Sequence, residues 1–533
     1  MKKFLSLVLA LVMTMSLVTV SAGAKDFTDD SKITYDEAVA VISEIGVVDG
    51  YADGSFNPQN NLTRGAAAKI ICNLVLGPTT ASALSADAAP FSDVPATHEF
   101  AGYIAYCSQQ GIINGYADGT FKPAGTLTGY HFMKMLLGAL GYDGEVEGFT
   151  GANWTVNVAK LALGCGLDDG NDEFSGNAYV TREEACLYAF NTLQADMVDY
   201  DSKTSVNVGG AEVVISGSKA TPVSRSTGWA GTNDGNIDDD DVQQFAEKYF
   251  EKLTKTNNNT DDFGRPAAEW KFKSNIIGTY TDYSDMIGSW TAKAQKGEMY
   301  KLVGSTIVDD LSAAGNKDDE YKLSVYVDGE KLEDDQVDAA LENDSFFDKN
   351  NSSAAGIADA VNRGTNVGKS GNGVLTQLFM DDDNNVTVVM INTYLVQATS
   401  DYNSTKETVN VEAIDTDETT KDNYKNMVLP NMDTSIDQDD FDVSGVKEDD
   451  YLLVTWSVSA DEFKSVEPAT LKTGTVSQYT ERDNVVVDGE TLKYARLTGD
   501  TEQEEQFSIN SEASLVLDAY GYILYVDDAN STS

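Results

Sequence analysis

Side chains suited to proton transfer or nucleophilic attack are scarce in this sequence. Histidine occurs only as His98 and His131, and none falls in residues 201–533. A Ser-His-Asp triad therefore cannot form there, and neither a His-Glu-x-x-His zinc site nor a Gly-x-Ser-x-Gly elbow occurs anywhere. Carboxylates are the abundant resource, with 86 Asp and Glu against 37 Lys and Arg and a net charge of −49. Two facing carboxylates can hydrolyse a glycosidic bond. No such pair stands out among the acids that follow Tyr200, so no enzymatic activity is expected. Asp234-Gly235-Asn236-Ile237-Asp238 begins like a calcium loop but lacks the central glycine and a bidentate glutamate at the required distance. A solvated charge run is the simpler reading, and Asp381 to Asn385 is read likewise as a hairpin tip. No cofactor is expected beyond weak, diffuse Ca2+ binding. The four cysteines, Cys72, Cys107, Cys165 and Cys186, include no Cys-x-x-Cys pair. They are too sparse for a disulfide framework, and Cys72 and Cys186 fit apolar helical patterns as buried free thiols.

The N-terminus gives the compartment. Lys2 and Lys3 precede an apolar stretch from Phe4 to Val20 that ends in Ala22-Gly23-Ala24, the pattern of a secretory signal peptide cleaved near Lys25. No later segment has the ~18 uninterrupted apolar residues of a membrane span. Nucleic acid is excluded as a partner, because a polyphosphate needs clustered cations. Hydrophobic content of 41% and aromatic content of 9% argue for folded domains despite the charge.

Internal repetition organises the first third. Gly50-Tyr51-Ala52-Asp53-Gly54-Ser55-Phe56-Asn57-Pro58 recurs 65 residues later as Gly115-Tyr116-Ala117-Asp118-Gly119-Thr120-Phe121-Lys122-Pro123, and Leu62-Thr63 recurs as Leu127-Thr128. A third member, Val180-Thr181-Arg182-Glu183-Glu184-Ala185, follows with a degenerate loop. In each copy a short helix leads to a tight Asp-Gly turn, a phenylalanine returns to the core, and a threonine caps a longer helix. Thr181 and Glu184 form a complete capping box. Ala66 and His131 occupy the glutamate position in the other copies, so those helix starts are expected to be weaker. Ala67, Ile70, Ile71, Leu74 and Val75 form an apolar stripe matched by Phe132, Met135, Leu136 and Leu140, and by Ala185, Tyr188, Ala189 and Leu193.

With Phe91-Ser92-Asp93-Val94 ahead of the Gly-Tyr-x-Asp-Gly-x-Phe-x-Pro loops, residues 25–200 resemble the S-layer-homology family. The resemblance implies a three-pronged helical spindle whose grooves bind secondary cell-wall polysaccharide, often carrying pyruvyl ketals. The family's Thr-Arg-Ala-Glu element falls on Thr63-Arg64-Gly65-Ala66, on Thr128-Gly129-Tyr130-His131 and on Thr181-Arg182-Glu183-Glu184. Its arginine is the ligand-binding residue, so Arg64 and Arg182 inherit that role and the second repeat has no counterpart. Thr63, Thr181 and Glu184 belong to the same element, while Asp53 and Asp118 sit on the loops, where shaping the turn is the competing role. A guanidinium can donate two parallel hydrogen bonds to a ketal carboxylate. The competing role for each arginine is pairing with a carboxylate such as Asp53 or Glu183. Trp154 fits the family's first-helix aromatic, with core packing as its expected job.

After Tyr200 the pattern turns to alternating β-branched strands with one helix, Val242 to Leu253. Val327-Asp328-Gly329-Glu330-Lys331-Leu332 and Val487-Asp488-Gly489-Glu490-Thr491-Leu492 read as related hairpins. The expected architecture is multidomain, an all-α-dominated triplet followed by β-rich, sandwich-like modules with one helix. Its parts are a signal peptide (1–24), three repeats (25–87, 88–151, 152–205), a mixed α and β linker region (206–290) and two β-rich modules (291–400, 401–533). The function expected is non-covalent wall anchoring of an exported, S-layer-like surface protein, with lateral self-association through the body. An anchored enzyme acting on glycans and an adhesin share this architecture.

Overall fold

The computed structural model describes residues 27–200, 204–208, 211–215, 219–312, 321–357, 367–414, 432–481, 483–496 and 506–531. The expected signal peptide lies outside the described residues. The chain divides into two compact units, one of Val20–Asn257 with Glu269–Thr279, the other of Asn258–Ala268 with Tyr280–Ser533.

The first unit carries six principal helices, two per repeat: α1 (Asp36–Glu44) and α2 (Arg64–Leu76), α3 (Ala101–Gln109) and α4 (Gly129–Leu140), α5 (Trp154–Gly164) and α6 (Arg182–Gln194). Their apolar stripes are buried as the spacing requires, among them Ile71, Leu74, Phe132, Leu136, Tyr188 and Leu193. Phe56 and Phe121 are buried too. The helix starts differ as the capping residues demand. The Thr181 hydroxyl accepts from Glu184 N, and the Glu184 carboxylate accepts in return from Thr181 N at 2.7 Å. The Thr63 hydroxyl accepts from Ala66 N at 3.3 Å with no returning side chain. Thr128 makes no cap bond, because its hydroxyl meets His131 Nδ1 at 2.7 Å.

Just before the long helices, the three copies close on one another. Leu62 N donates to Val180 O, Val180 N to Leu127 O, and Leu127 N back to Leu62 O, at 2.7, 3.0 and 3.1 Å. All three side chains are buried, so this ring of backbone bonds runs through the interior.

The expected helix from Val242 to Leu253 is much shorter, Phe245–Tyr249, and Leu253 instead opens a strand, Leu253–Thr260. Phe245, Ala246, Phe250 and Leu253 are still buried. The Thr254-Lys255-Thr256-Asn257-Asn258-Asn259 run has low helix propensity, and its strand pairs with Pro266–Phe272, which in turn pairs with Asn275–Thr281.

Among the described residues the second unit contains three five-stranded sheets. In the first, the order is Glu330–Lys331, Leu323–Val327, Val386–Ile391, Leu375–Met380 and Met286–Trp290. Its one parallel pairing joins Leu323–Val327 to Val386–Ile391. In the second, Ser435–Asp437, Thr408–Ala413, Tyr394–Ala398, Tyr451–Ser457 and Glu462–Pro468 are all antiparallel. The third runs Glu490–Lys493, Asn484–Val487, Thr470–Thr480, Glu512–Leu517 and Ile523–Ser531. One apolar cluster, including Val325, Val388, Met390, Val396, Val454 and Trp456, draws on the first two sheets, and the third has its own around Val476, Val485, Leu515 and Ile523.

The β-rich part holds more than one helix. Lys296–Val303, Ser305–Leu311 and Asp334–Glu342 are helical, which corrects the expectation. These helices are short, and each buries only two or three apolar side chains, such as Val337 and Leu341. Too few apolar positions remain to give a readable 3.6-residue period. The two Asp-Gly hairpins match closely: Asp328 and Gly329 have φ of 49° and 82°, Asp488 and Gly489 of 51° and 83°. Both residues are left-handed in each, the requirement of a two-residue type I′ turn. Their sheets differ, since Leu323–Val327 has a parallel neighbour and Asn484–Val487 an antiparallel one.

Candidate functional site

The repeats meet at three joints, each formed by the N-terminus of a long helix against the loop of another copy. At the first joint Arg64 N donates to Gly125 O and Gly65 N to Pro123 O, both at 2.9 Å. At the second, Gly129 N donates to Ala178 O and Tyr130 N to Gly176 O. At the third, Arg182 N donates to Asn60 O and Glu183 N to Pro58 O. The first two of the amides that a helix N-terminus usually offers to an anion are therefore already engaged at each joint. What the first and third joints still offer is a side chain.

Arg64 Nε donates to Phe121 O at 2.8 Å and Nη2 to Asn114 O at 3.1 Å. Arg182 repeats this on the first-repeat loop, Nε to Phe56 O and Nη2 to Asp49 O, each at 3.0 Å. The acceptors differ by the same 65 residues as the loop motif. Each guanidinium also lies over two rings: Arg64 Cζ is 4.4 Å from the Phe121 centroid and 5.0 Å from Tyr116, Arg182 Cζ 4.9 Å from Phe56 and 4.7 Å from Tyr51. The phenylalanines are buried and the tyrosines 46% exposed, so each cation spans from core to solvent. Cation–π contact of this kind contributes about 0.5–2 kcal/mol. Burial lowers the Arg64 pKa from its usual value, against the pull of Tyr116 and Asp93, yet an arginine keeps its charge.

Neither arginine forms an ion pair among the described residues. Pairing with Asp53 or Glu183, the competing role, is corrected on both counts. Asp53 accepts from the amide and hydroxyl of Ser55, and Asp118 from those of Thr120. Each exposed carboxyl is held below its usual pKa by these bonds, the hydroxyl first. Glu183 is buried and accepts from Thr34 N at 2.7 Å. Burial pushes its pKa up, against those hydrogen bonds.

The structure thus unites Arg64 with the loop bearing Asp118, and Arg182 with the loop bearing Asp53. Thr63, Thr181 and Glu184 lie at the same joints, but their oxygens serve as helix caps. Sequence reasoning missed Tyr51 and Tyr116 as the faces under the cations. It also missed Asp29 and Asp93, which fix the loops from behind: Asp29 accepts from Phe56 N and Asn57 N at 2.6 and 2.8 Å, Asp93 from Phe121 N and Lys122 N at 2.7 Å each. The recurrence of Phe27-Thr28-Asp29 as Phe91-Ser92-Asp93 was the available signal.

The second joint is built differently. Gly129 stands where the arginines stand, and a Cβ there would lie 2.9 Å from Phe174 Cε2 and 3.0 Å from Gly176 Cα. Phe174 and Tyr130 meet edge to face at 6.2 Å, so aromatic packing closes this joint. His131 lies 4.8 Å from Trp154, ring to ring. Burial, then the charges of Arg64 and Lys134, lowers the His131 pKa.

Elsewhere in the first unit, one carboxylate oxygen of the calcium-like run is held from within. Asp234 Oδ2 accepts from Arg225 Nε and Nη2 at 3.2 and 3.1 Å, and Arg225 Nη1 donates to Gly231 O. Among the described residues, no cluster of three or more metal-ligating side chains is present and no helix is long and apolar enough to cross a membrane.

Comparison with known proteins bears on the first two repeats. The S-layer homology domain family matches residues 26–68 and 90–130. The surface layer protein of Brevibacillus choshinensis is 24% identical over 242 residues, 45% of this chain and 21% of that protein. Cell surface glycoprotein 1 of Acetivibrio thermocellus is 42% identical over 88 residues, 16% of this chain and 4% of that protein. The cellulosome-anchoring protein of the same organism is 37% identical over 98 residues, 18% and 22%. The chain spans about a fifth or less of the length of these relatives. The chain carries S-layer homology domains, and its place is the exported cell surface or cell wall.

Proposed function

We propose that the chain anchors itself non-covalently to the cell wall. In this reading the three repeats act as a three-pronged helical spindle that grips secondary cell-wall polysaccharide at the first and third joints. The acidic body is structural, making lateral contacts with further copies, and is not catalytic. One observation carries the reading: Arg64 and Arg182 each lie against an exposed tyrosine, with no carboxylate paired to them among the described residues. A guanidinium whose charge is not neutralised from within favours an outside anion, and a pyruvyl ketal carboxylate matches its planar fork. Such local cations let a chain of net charge −49 hold an anionic polymer across a screening length of about 8 Å.

The test is sedimentation of the mature full-length chain with purified wall sacculi, native or stripped of ketals. Wild type is expected to pellet with native walls and much less with stripped ones. Arg64→Ala with Arg182→Ala is expected to stay in the supernatant, and the lysine pair at these positions to recover part of the binding. Full binding by the alanine pair, folded by circular dichroism, sinks the assignment.

A second reading, an anchored enzyme acting on glycans, has one feature in its favour. A cleft of about 820 Å³ in the second unit is lined by Asp442, Asp449, Asp450, Tyr451 and Asp527, with the Tyr451 hydroxyl donating to Asp527 Oδ1 at 2.6 Å. Release of reducing sugar from sacculi, lost on Asp527→Asn, would establish it in place of the structural body.

A further inference from the structure

Two of the four thiols lie against each other. Cys72 on α2 belongs to the first repeat and Cys107 on α3 to the second, and their Sγ atoms are 3.5 Å apart. Both side chains are 0% exposed. The placement is reciprocal: Cys72 Sγ reaches Tyr103 O, one turn before Cys107, and Cys107 Sγ reaches Ala68 O, one turn before Cys72, each at 3.6 Å. No such partner exists for the others, since Cys165 contacts its own helix through Ala162 O and Cys186 is buried without a sulfur neighbour among the described residues.

We propose that Cys72 and Cys107 form a disulfide that staples the first repeat to the second. The sulfurs, 3.5 Å apart, need to close to about 2.0 Å. The oxidant is a small or enzyme-borne disulfide of the extracytoplasmic space, where such bonds form and persist. One cysteine thiolate attacks it, giving a mixed disulfide and releasing one thiol. The second cysteine thiolate attacks the mixed disulfide, the new S–S bond forms, and the second oxidant thiol leaves. Two protons and two electrons pass from the protein to the oxidant, which is reduced to two thiols.

The same burial sets the timing. The hydrogen bond from Cys107, with desolvation, pushes the Cys72 pKa far up, and only a thiolate can attack. Exchange must therefore happen before α2 and α3 pack, while the exported chain folds. A link closing a loop of about 35 residues restricts the unfolded chain most before that packing is complete.

The test uses the mature full-length protein, unfolded in denaturant with reductant and refolded by dilution into reduced glutathione alone or into a reduced and oxidised glutathione mixture. In the mixture, the titratable thiols are expected to fall from four to two. A protease cutting at aspartate separates the cysteines at Asp87 and Asp93. The peptides bearing Cys72 and Cys107 are then expected to run as one species about 2 Da below their sum, and the melting midpoint to rise by roughly 5 °C or more. Cys72→Ala is expected to keep its three thiols in both buffers and to melt identically in each. Folded, reduced wild type is expected to oxidise at least about tenfold more slowly than refolding chains. Four thiols in both buffers, or a link involving Cys165 or Cys186, overturns the proposal, and equal oxidation rates overturn its timing.

Discussion

The joint arginines of the first unit and the buried Arg265 of the second are held in opposite ways. In the second unit Arg265 is 3% exposed and donates at 2.5 Å to Asp261, itself 1% exposed, which also accepts from Phe263 N, Arg265 N and Thr281 Oγ1. That charge is consumed internally. In the first unit Arg64 and Arg182 rest on backbone carbonyls and aromatic faces, partly open to solvent, with no carboxylate paired to either among the described residues. Carbonyls and rings hold a guanidinium in place without cancelling its charge, so position and availability are combined. A buried ion pair gives position and gives up availability.

The largest expected effect tests the internal pair. Asp261→Ala leaves Arg265 buried without its counter-charge and removes the acceptor of three other donors, and should cost about 3–5 kcal/mol in denaturant unfolding of the second unit. A cost under about 1 kcal/mol would mean that water reaches Arg265 and that the contrast is one of degree. Next comes loss of the available cations. Arg64→Ala with Arg182→Ala should weaken wall binding at least about tenfold, equivalent to about 1.4 kcal/mol, with the single variants in between.

The second joint offers a sharper test. Gly129→Arg restores the missing cation by sequence, but its Cβ would press on Phe174 and on the Gly176 backbone. We expect a loss of about 1–3 kcal/mol in stability from this overpacking and no gain in wall binding. A variant that folds well and binds more tightly would show that the aromatic joint is an arginine joint lacking only its arginine. The smallest effect concerns the caps. Thr181→Ala should destabilise by about 1–2 kcal/mol, and Thr128→Ala, whose hydroxyl caps no amide, by about 0.5 kcal/mol or less in thermal melts.

Much of the first unit was legible because its signals are side-chain signals. The 65-residue recurrence, the buried stripes and the Thr181–Glu184 capping box all depend on residue type. The partners of Arg64 and Arg182 were not legible, because their acceptors are carbonyl oxygens of Phe121, Asn114, Phe56 and Asp49, and every residue carries a carbonyl. Carboxylates were the visible candidates, and they turned out to be engaged with Ser55, Thr120 and Thr34. In the second unit, strands such as Val386–Ile391 announced themselves by dense β-branched content, whereas the 296–342 helices rest on a few apolar side chains each. The helix expected from Val242 to Leu253 shows the same limit from the other side: its apolar positions are buried, but strand pairing takes over at Leu253.

The circuit of amides through Leu62, Val180 and Leu127 fixes how many copies this assembly tolerates. Each copy both gives and receives one interior bond, so excising any one strands a donor on one survivor and an acceptor on another, at about 1–3 kcal/mol apiece. A fourth copy would have no vacancy to enter. Loss of a single copy is thereby penalised, and the triplet holds together as one interlocked part.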